Sequence, residues 1–505
     1  MKLSLSRTLS LSLVTALFAA SSANAMFIDR FVKQWREARL AAAEAEVAKF
    51  PLFDSKFIRG ERGEPKAANG TFSQKLDHET AGDTRTFTQR YWVNSTYAAG
   101  KDSPVIYYIC GESRCSGSGG FAVQLAKEMK GYAVTLEHRY YGDSVPTADY
   151  SADNLKYLSV EQALADMEAF KAFLVKDQSL TGQWITVGGS YAGAMSAYYR
   201  LKHPDSIAFA LASSGPVQAK ASFEEYDHQV ATVVPAACLA AMQKVTAEIE
   251  RDLATPASRE SVKKLFGSVD VADDVDFLYI VADMAAIAIQ YGSRDSFCQA
   301  IQTTGDAKAA YAKIGLQLFD DFGMTTMEDT AQGNMSVDPN QYRKNGMRQW
   351  LYQSCTQFGF WQVAYHDPKE SSRSARIDLP FHNEICHRMF GITGEVDTNP
   401  INQNYFQPIL DGKITKTFFT NGSDDPWQHL SINPARRNVP GTVEAMLIPG
   451  AAHCDDLGGP ANASVVAAQD KFRALAKTWA EPARTPPAPP SKNRSVWPKV
   501  SLGRN

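Results

Sequence analysis

Six short apolar runs rich in β-branched and aromatic residues punctuate the chain. They are Val105 to Ile109, Tyr132 to Glu137, Trp184 to Val187, Ala208 to Ala212, Lys416 to Thr420 and Glu444 to Ile448. Each is followed by Gly, Asn or Ser and then by helical periodicity, so strands alternate with helices. That alternation predicts a parallel sheet covered by helices on both faces. One helix carries its own start signal, because Ser159-Val160-Glu161-Gln162 reads as a capping box leading into Ala163 to Val175. From about Gln218 to Arg388 the pattern changes to an Ala-rich, helical one with no convincing strand pair, and the β–α alternation resumes near Lys416. We read this stretch as a mainly helical domain inserted into an α/β core. Within it Phe277 to Tyr291, apolar but for Asp283, reads as a buried helix.

The two ends read differently from the middle. Lys2 and Arg7 precede a mostly apolar stretch, Leu9 to Ala20, and Ala23-Asn24-Ala25 is an A-x-A cleavage site. This predicts an exported protein, periplasmic or secreted, whose signal peptide is cut after Ala25. The apolar run is too short to span a bilayer, so no membrane insertion is expected after cleavage. Residues 481–505, with Pro486-Pro487-Ala488-Pro489-Pro490, read as a Pro-rich tail outside the core. The expected organisation is a signal peptide over 1–25, an α/β core over 26–217, a helical insertion over 218–395, the rest of the core over 396–480, and the tail.

Composition narrows the class without naming the chemistry. With 44% hydrophobic and 21% charged residues the chain is globular rather than disordered or fibrous. Lys plus Arg (52) minus Asp plus Glu (55) gives −3, too balanced for a nucleic-acid or anionic-membrane binder. Seven cysteines are too few for a disulfide scaffold of this size, although in an exported protein they can form two or three staples and leave one over. No C-x-x-C pair or His-rich cluster has zinc-ligand spacing, so neither metal nor cofactor is expected.

The candidate chemistry starts at Val187-Gly188-Gly189-Ser190-Tyr191-Ala192-Gly193, where an apolar strand turns into a helix around a G-x-S-x-A pattern. This is a variant of the nucleophile elbow, whose small residues tolerate a strained turn that lifts the serine hydroxyl out of the sheet. The bare pattern is weak, since a chain of this length holds roughly 0.3 such matches by accident. The strand before it and the helical Tyr191 to His203 after it raise its weight. A serine nucleophile needs a base and the base an orienting acid, in the order Ser, Asp or Glu, His, each after a strand. Asn421-Gly422-Ser423-Asp424-Asp425-Pro426-Trp427 supplies a turn with two acids, and Pro449-Gly450-Ala451-Ala452-His453 supplies the histidine, 28 residues beyond Asp425. The candidate triad is Ser190, Asp425 and His453, with Asp424 as the rival acid.

These residues resemble those of a family, the secreted post-proline serine peptidases that include prolyl carboxypeptidase, dipeptidyl peptidase II and the thymus-specific serine protease. Phe72-Ser73-Gln74-Lys75-Leu76-Asp77-His78 and Thr86-Phe87-Thr88-Gln89-Arg90-Tyr91-Trp92 look like its N-terminal signature, and Glu137-His138-Arg139-Tyr140-Tyr141-Gly142 like its E-H-R-[YF]-Y-G segment. Gly188 to Gly193 looks like its G-G-S-Y-x-G elbow, and Asn421 to Trp427 matches N-G-x-x-D-P-W, which assigns the acid to Asp425. His453-Cys454, the elbow and Ala212-Ser213-Ser214-Gly215-Pro216-Val217 are most similar to the thymus-specific branch. The resemblance implies an α/β-hydrolase core under a helical cap, and cleavage of peptides on the carboxyl side of proline. It also implies the bridges Cys238–Cys298 and Cys355–Cys386, with Cys454 left as a free thiol. One departure is Cys110-Gly111-Glu112-Ser113 where the family usually has G-x-E-G, so the oxyanion loop is altered and a Cys110–Cys115 bridge around it is left open.

On this reading Ser190 attacks, His453 is the base, and the Tyr191 N–H with an N–H from Gly111 to Ser113, such as that of Glu112, forms the oxyanion hole. Trp427 is a candidate wall for a proline pocket, and Glu112 a candidate acceptor for a substrate ammonium, which favours an exopeptidase. Arg139 is expected to pair inside the fold. Rival readings are an esterase or lipase on the same core, and a catalytically silent surface protein. Expected partners are proline-containing peptides, and a homodimer is left open.

Overall fold

Strands buried on both faces need apolar side chains on alternating sides, and the sheet shows how the predicted runs meet that demand. The computed structural model describes residues 68–480 apart from 436–438 and 459–461; the expected signal peptide over 1–25, residues 26–67 and the expected Pro-rich tail over 481–505 lie outside the described residues. Strands β1 (Ala68–Lys75), β2 (Thr86–Asn94), β3 (Val105–Ile109), β4 (Tyr132–Leu136), β5 (Trp184–Gly189) and β6 (Phe209–Ser213) precede two three-residue strands, β7 (Lys220–Ser222) and β8 (Gly359–Trp361). Strands β9 (Thr417–Gly422) and β10 (Val443–Ile448) follow. The main sheet has the order β1-β2-β4-β3-β5-β6-β9-β10. Pairs β1/β2 and β2/β4 are antiparallel and the other pairs are parallel. This is a mostly parallel α/β-hydrolase sheet.

All six predicted runs are strands of that sheet. On one face Val105, Tyr107 and Trp184 pack with the helices Val160–Gln178 and Tyr191–Lys202. On the other, Ile106, Ile185, Leu211 and Phe418 pack with the helices Gly120–Glu128 and Ala463–Trp479. The capping box is present in part, with Ser159 accepting from the Gln162 amide at 3.2 Å.

Between β6 and β9 the chain is dominated by helices, among them Ala236–Asp252, Asp274–Gln290, Ala307–Asp321 and Leu379–Phe390. The buried helix predicted over 277–291 is Asp274–Gln290, started by Asp273, whose side chain accepts from the amides of Val275 and Asp276. The expectation of no strand pair here needs correcting, because β7 and β8 form a short parallel pair. Three-residue strands are too short for a hydrophobic period to show. The hydrophobic cluster that contains Tyr107 and Trp184 runs on through Cys238, Phe277 and Tyr311, so the helical region and the sheet share one core.

Three disulfides are present: Cys238–Cys298, Cys355–Cys386 and Cys110–Cys115. The first two close loops of 60 and 31 residues, a constraint on the unfolded chain that contributes about 3–4 kcal/mol each. Cys454 is a free, buried thiol. Among the described residues no helix is long and apolar enough to cross a membrane.

The helical region also carries a pH-dependent element. Burial pushes the Asp276 carboxyl up to about 6, against the pull of Arg388 at 3.6 Å. A carboxyl raised on folding contributes stability below its unfolded value and loses it as pH rises through about 6. Asp276→Asn should therefore stabilise the protein near neutral pH by about 2–3 kcal/mol and do little near the unfolded carboxyl value. Thermal melts of both proteins at the two pH values check this, and an equal shift at both contradicts it.

Candidate active site

Strand β5 ends at Gly189, and Ser190 turns the chain into the helix Tyr191–Lys202 with φ 58° and ψ −132°. A non-glycine residue held there stores on the order of 1–3 kcal/mol of strain, and the surroundings must over-determine it. They do so by close packing. A Cβ on Gly188 would lie 2.1 Å from the Ala192 carbonyl oxygen, and one on Gly193 2.5 Å from that of Ser213. The Ser190 amide donates to the Ser213 carbonyl at 3.0 Å. Glycine stands at 188, 189 and 193 because a Cβ there would meet neighbouring atoms, and Ser190 is left half-buried at the end of the sheet.

The candidate acid is positioned by a cap. Asp425 follows β9, starts the short helical turn Pro426–Leu430, and accepts from the Trp427 amide at 2.9 Å through Oδ1. The same oxygen accepts from His453 Nδ1 at 2.9 Å, and both side chains are buried. Asp424 points elsewhere and pairs with Arg294 at 2.7 Å. His453 follows β10, and its amide donates to the Gln290 carbonyl at 2.9 Å. Tyr291 stands edge-on to the imidazole at 5.9 Å. The next residue, Cys454, ties the loop to the elbow: its amide donates to Ser214 Oγ at 2.9 Å, and its sulfur lies 2.8 Å from where a Cβ on Gly189 would sit.

A proton on Nδ1, shared with Asp425, leaves the Nε2 lone pair of neutral His453 free to act as a base. Nε2 is buried and has no hydrogen-bond partner, so no Ser190–His453 hydrogen bond is closed in this conformation. Such bonds are often long before substrate binds. Burial by itself pushes the imidazole down, but the Asp425 carboxylate and the Cys454 thiol outweigh it and hold the ring well above its ordinary value.

Around this centre lie the other residues named from sequence. Tyr191 supplies the first amide of its helix, one of those without an intrahelical acceptor. Gly111 sits against that first turn, where a Cβ would contact Ala192 at 3.7 Å. Glu112 is half-buried beside it. Burial pushes its carboxyl up, while its own backbone amide and the charge of His453 pull it down. Trp427 donates from Nε1 to Gln290 at 2.9 Å, and its ring lies 6.4 Å from that of His453.

Several contributors were not visible in the sequence. Trp427 belongs to an aromatic wall with Phe360 at 5.4 Å, and Phe360 stacks on Phe358 at 5.1 Å. Trp350 continues the wall and reaches Tyr191 at 5.7 Å. Asp456 accepts from Ser213 Oγ at 2.5 Å and from Thr420 Oγ1 at 2.6 Å, bracing the ends of β6 and β9 beneath the histidine loop. These partners come from distant segments and follow no local spacing. Among the described residues no group of three or more His, Cys, Asp or Glu is arranged to hold a metal ion.

Comparison with known proteins adds the family. The serine carboxypeptidase S28 profile matches residues 74–471. An Arabidopsis thaliana protein described as a "probable serine protease" is 34% identical over 391 residues, covering 74% of this chain and 78% of its own. The thymus-specific serine protease of Mus musculus is 32% identical over 425 residues, 77% of this chain and 82% of that one. A protein of Arthroderma benhamiae described as a "probable extracellular serine carboxypeptidase" is 27% identical over 441 residues, 74% of this chain and 60% of that one. With the match spanning most of its length, the chain belongs to the serine carboxypeptidase S28 family of serine peptidases.

Proposed function

We propose that this serine peptidase is exported and cleaves short peptides on the carboxyl side of proline through an acyl-enzyme on Ser190. The observation that carries the reading is the buried Asp425–His453 hydrogen bond at 2.9 Å, set beside a serine held in a strained turn. In the first half-reaction His453 Nε2 takes the Ser190 proton as Oγ attacks the carbonyl, and then gives it to the leaving amine. In the second half-reaction water follows the same route. The Tyr191 amide and an amide of the Gly111–Glu112 segment meet the oxyanion. The aromatic cluster of Trp427, Phe360 and Trp350, with Trp427 6.4 Å from the His453 ring, supports an apolar subsite for a proline ring beside the base. The helical region, which we assign to residues 218–395 as a cap, restricts entry to short or unfolded chains. Export is supported by the three disulfides, which persist in oxidising compartments.

Glu112 gives this reading its exopeptidase form. A half-buried carboxylate near the oxyanion loop can accept the ammonium of a substrate N-terminus, an interaction of roughly 1.5–3 kcal/mol when charge-assisted. The test compares a free-amine Xaa-Pro reporter, its N-acylated form and an intact folded protein. The free-amine reporter should be cleaved fastest, and Glu112→Gln should lower its kcat/KM by roughly ten- to a hundredfold while sparing the acylated one. Equal rates on the two reporters remove the aminopeptidase reading, and rapid digestion of the folded protein removes the restriction by the cap.

A further inference from the structure

The side chain of Tyr191 has no part in the mechanism above, yet it is almost fully buried and fixed from two sides. Its phenol oxygen lies 3.0 Å from His138 Nε2 and 3.1 Å from Gln353 Nε2. Gln353 in turn accepts from the Tyr141 hydroxyl at 2.6 Å through Oε1. His138 Nδ1 lies 2.8 Å from the Arg139 carbonyl oxygen.

Every polarity in this chain of hydrogen bonds can be assigned. A carbonyl only accepts, so His138 Nδ1 carries the proton. Burial lowers the His138 pKa to about 4, so the ring is neutral and its Nε2 is an acceptor. Tyr191 must therefore donate to His138, which leaves its oxygen to accept from the Gln353 amide. Gln353 then presents its carbonyl to Tyr141. The donation runs one way: Tyr141 to Gln353, Gln353 to Tyr191, Tyr191 to His138, His138 to Arg139. Reversing a member sets a buried donor against a donor or an acceptor against an acceptor, which is costly.

The three anchor points belong to different parts of the molecule. His138 follows β4, Tyr191 begins the helix after the nucleophile, and Gln353 ends the helix Met347–Gln353 between β6 and β9. Just before that last helix, Gly346 packs so closely that a Cβ would lie 2.5 Å from the Tyr141 ring and 2.7 Å from the Glu112 carbonyl oxygen. The helical region thus touches the oxyanion loop and the Tyr191 ring through one short segment.

We propose that His138 and Gln353 are positioning residues for the oxyanion hole, clamping the Tyr191 side chain so that its backbone amide and the cap stay in register with the nucleophile. The proposal rests on the assignment of Ser190 and the Tyr191 amide made above. A donor misplaced by loss of its clamp acts only where charge develops, so the transition state is affected and the ground state is not.

The experiment uses the full chain and the variants Tyr191→Phe, Gln353→Met and Gln353→Glu, with kcat and KM measured on a Pro-containing reporter. Binding of a peptidyl boronate, which forms a tetrahedral adduct, is compared with binding of the product peptide. Tyr191→Phe and Gln353→Met should lower kcat about ten- to a hundredfold with KM within about twofold. Boronate affinity should fall in parallel and product affinity should hold. Gln353→Glu should recover towards wild type as pH falls, because the protonated acid again donates to Tyr191; this holds even if Tyr191→Phe does not fold. Wild-type kcat in the first two variants, equal losses for boronate and product, or a Gln353→Glu defect independent of pH each overturn the clamp. Activity retained by Ser190→Ala would instead remove the underlying assignment, whereas an inactive Ser190→Ala beside a fully active Tyr191→Phe removes the clamp alone.

Discussion

Ser190→Ala is expected to lower kcat/KM by roughly a millionfold while leaving the melting temperature near that of the unaltered protein. The chemical half of this follows from the site acting as a unit: without Oγ, His453 has no proton to take. The structural half follows from the elbow. The Ser190 backbone is held by the hydrogen bond its amide donates to the Ser213 carbonyl and by the close packing of Gly188 and Gly193, none of which involves the hydroxyl. Alanine keeps the positive φ and its strain, so little changes in the folded state. A variant that keeps more than a few per cent of peptidase activity, with contaminating proteases excluded, shows that the nucleophile is elsewhere.

Asp425→Asn is expected to cost about 10⁴ in kcat and to change the shape of the pH profile. Asp425 accepts two hydrogen bonds through one oxygen, from His453 Nδ1 and from the Trp427 amide. An amide that turns its NH₂ towards the ring favours the tautomer with the proton on Nε2, which cannot act as base. The electrostatic consequence has a definite sign. His453 must be neutral to accept the Ser190 proton, so the acidic limb of kcat/KM tracks its pKa, which the Asp425 charge raises. Removing that charge moves the limb to lower pH as the maximum rate falls. A limb that stays in place on Asp425→Asn indicates that another group titrates.

How much of this was legible depended on whether the determinant was local. The central strands were readable because burial on both faces forces continuous apolar runs, as at Val105–Ile109, whereas the edge strand β10 is only half-buried and showed through its β-rich composition and the Pro-Gly turn after it. The hairpin β1–β2 was not read as strands, and its inward positions explain why. Gln74 and Gln89 are buried there and bond to each other at 3.0 Å, which breaks the hydrophobic alternation. Arg139 behaves as expected, forming a buried two-point pair with Asp166 at 2.6 Å. The order of Ser190, Asp425 and His453 was legible because each follows a strand. Strand order left Asp424 and Asp425 as rivals and only the N-G-x-x-D-P-W resemblance chose Asp425; in the structure Asp425 caps the Pro426–Leu430 turn and bonds His453, while Asp424 pairs with Arg294. Gln290, Phe360 and Trp350 reach the site from segments far from the elbow and the histidine loop, and no period or spacing marks them; Asp456 lies three residues beyond His453, but its partners Ser213 and Thr420 are remote from it in the chain.

The catalytic assignment is most directly tested by exposing the purified chain to a fluorophosphonate, which phosphonylates an activated serine, and mapping the adduct by tandem mass spectrometry. The adduct should fall on Ser190, and both it and peptidase activity should disappear in Ser190→Ala. An adduct on another serine, or full activity beside an unlabelled Ser190, contradicts the assignment.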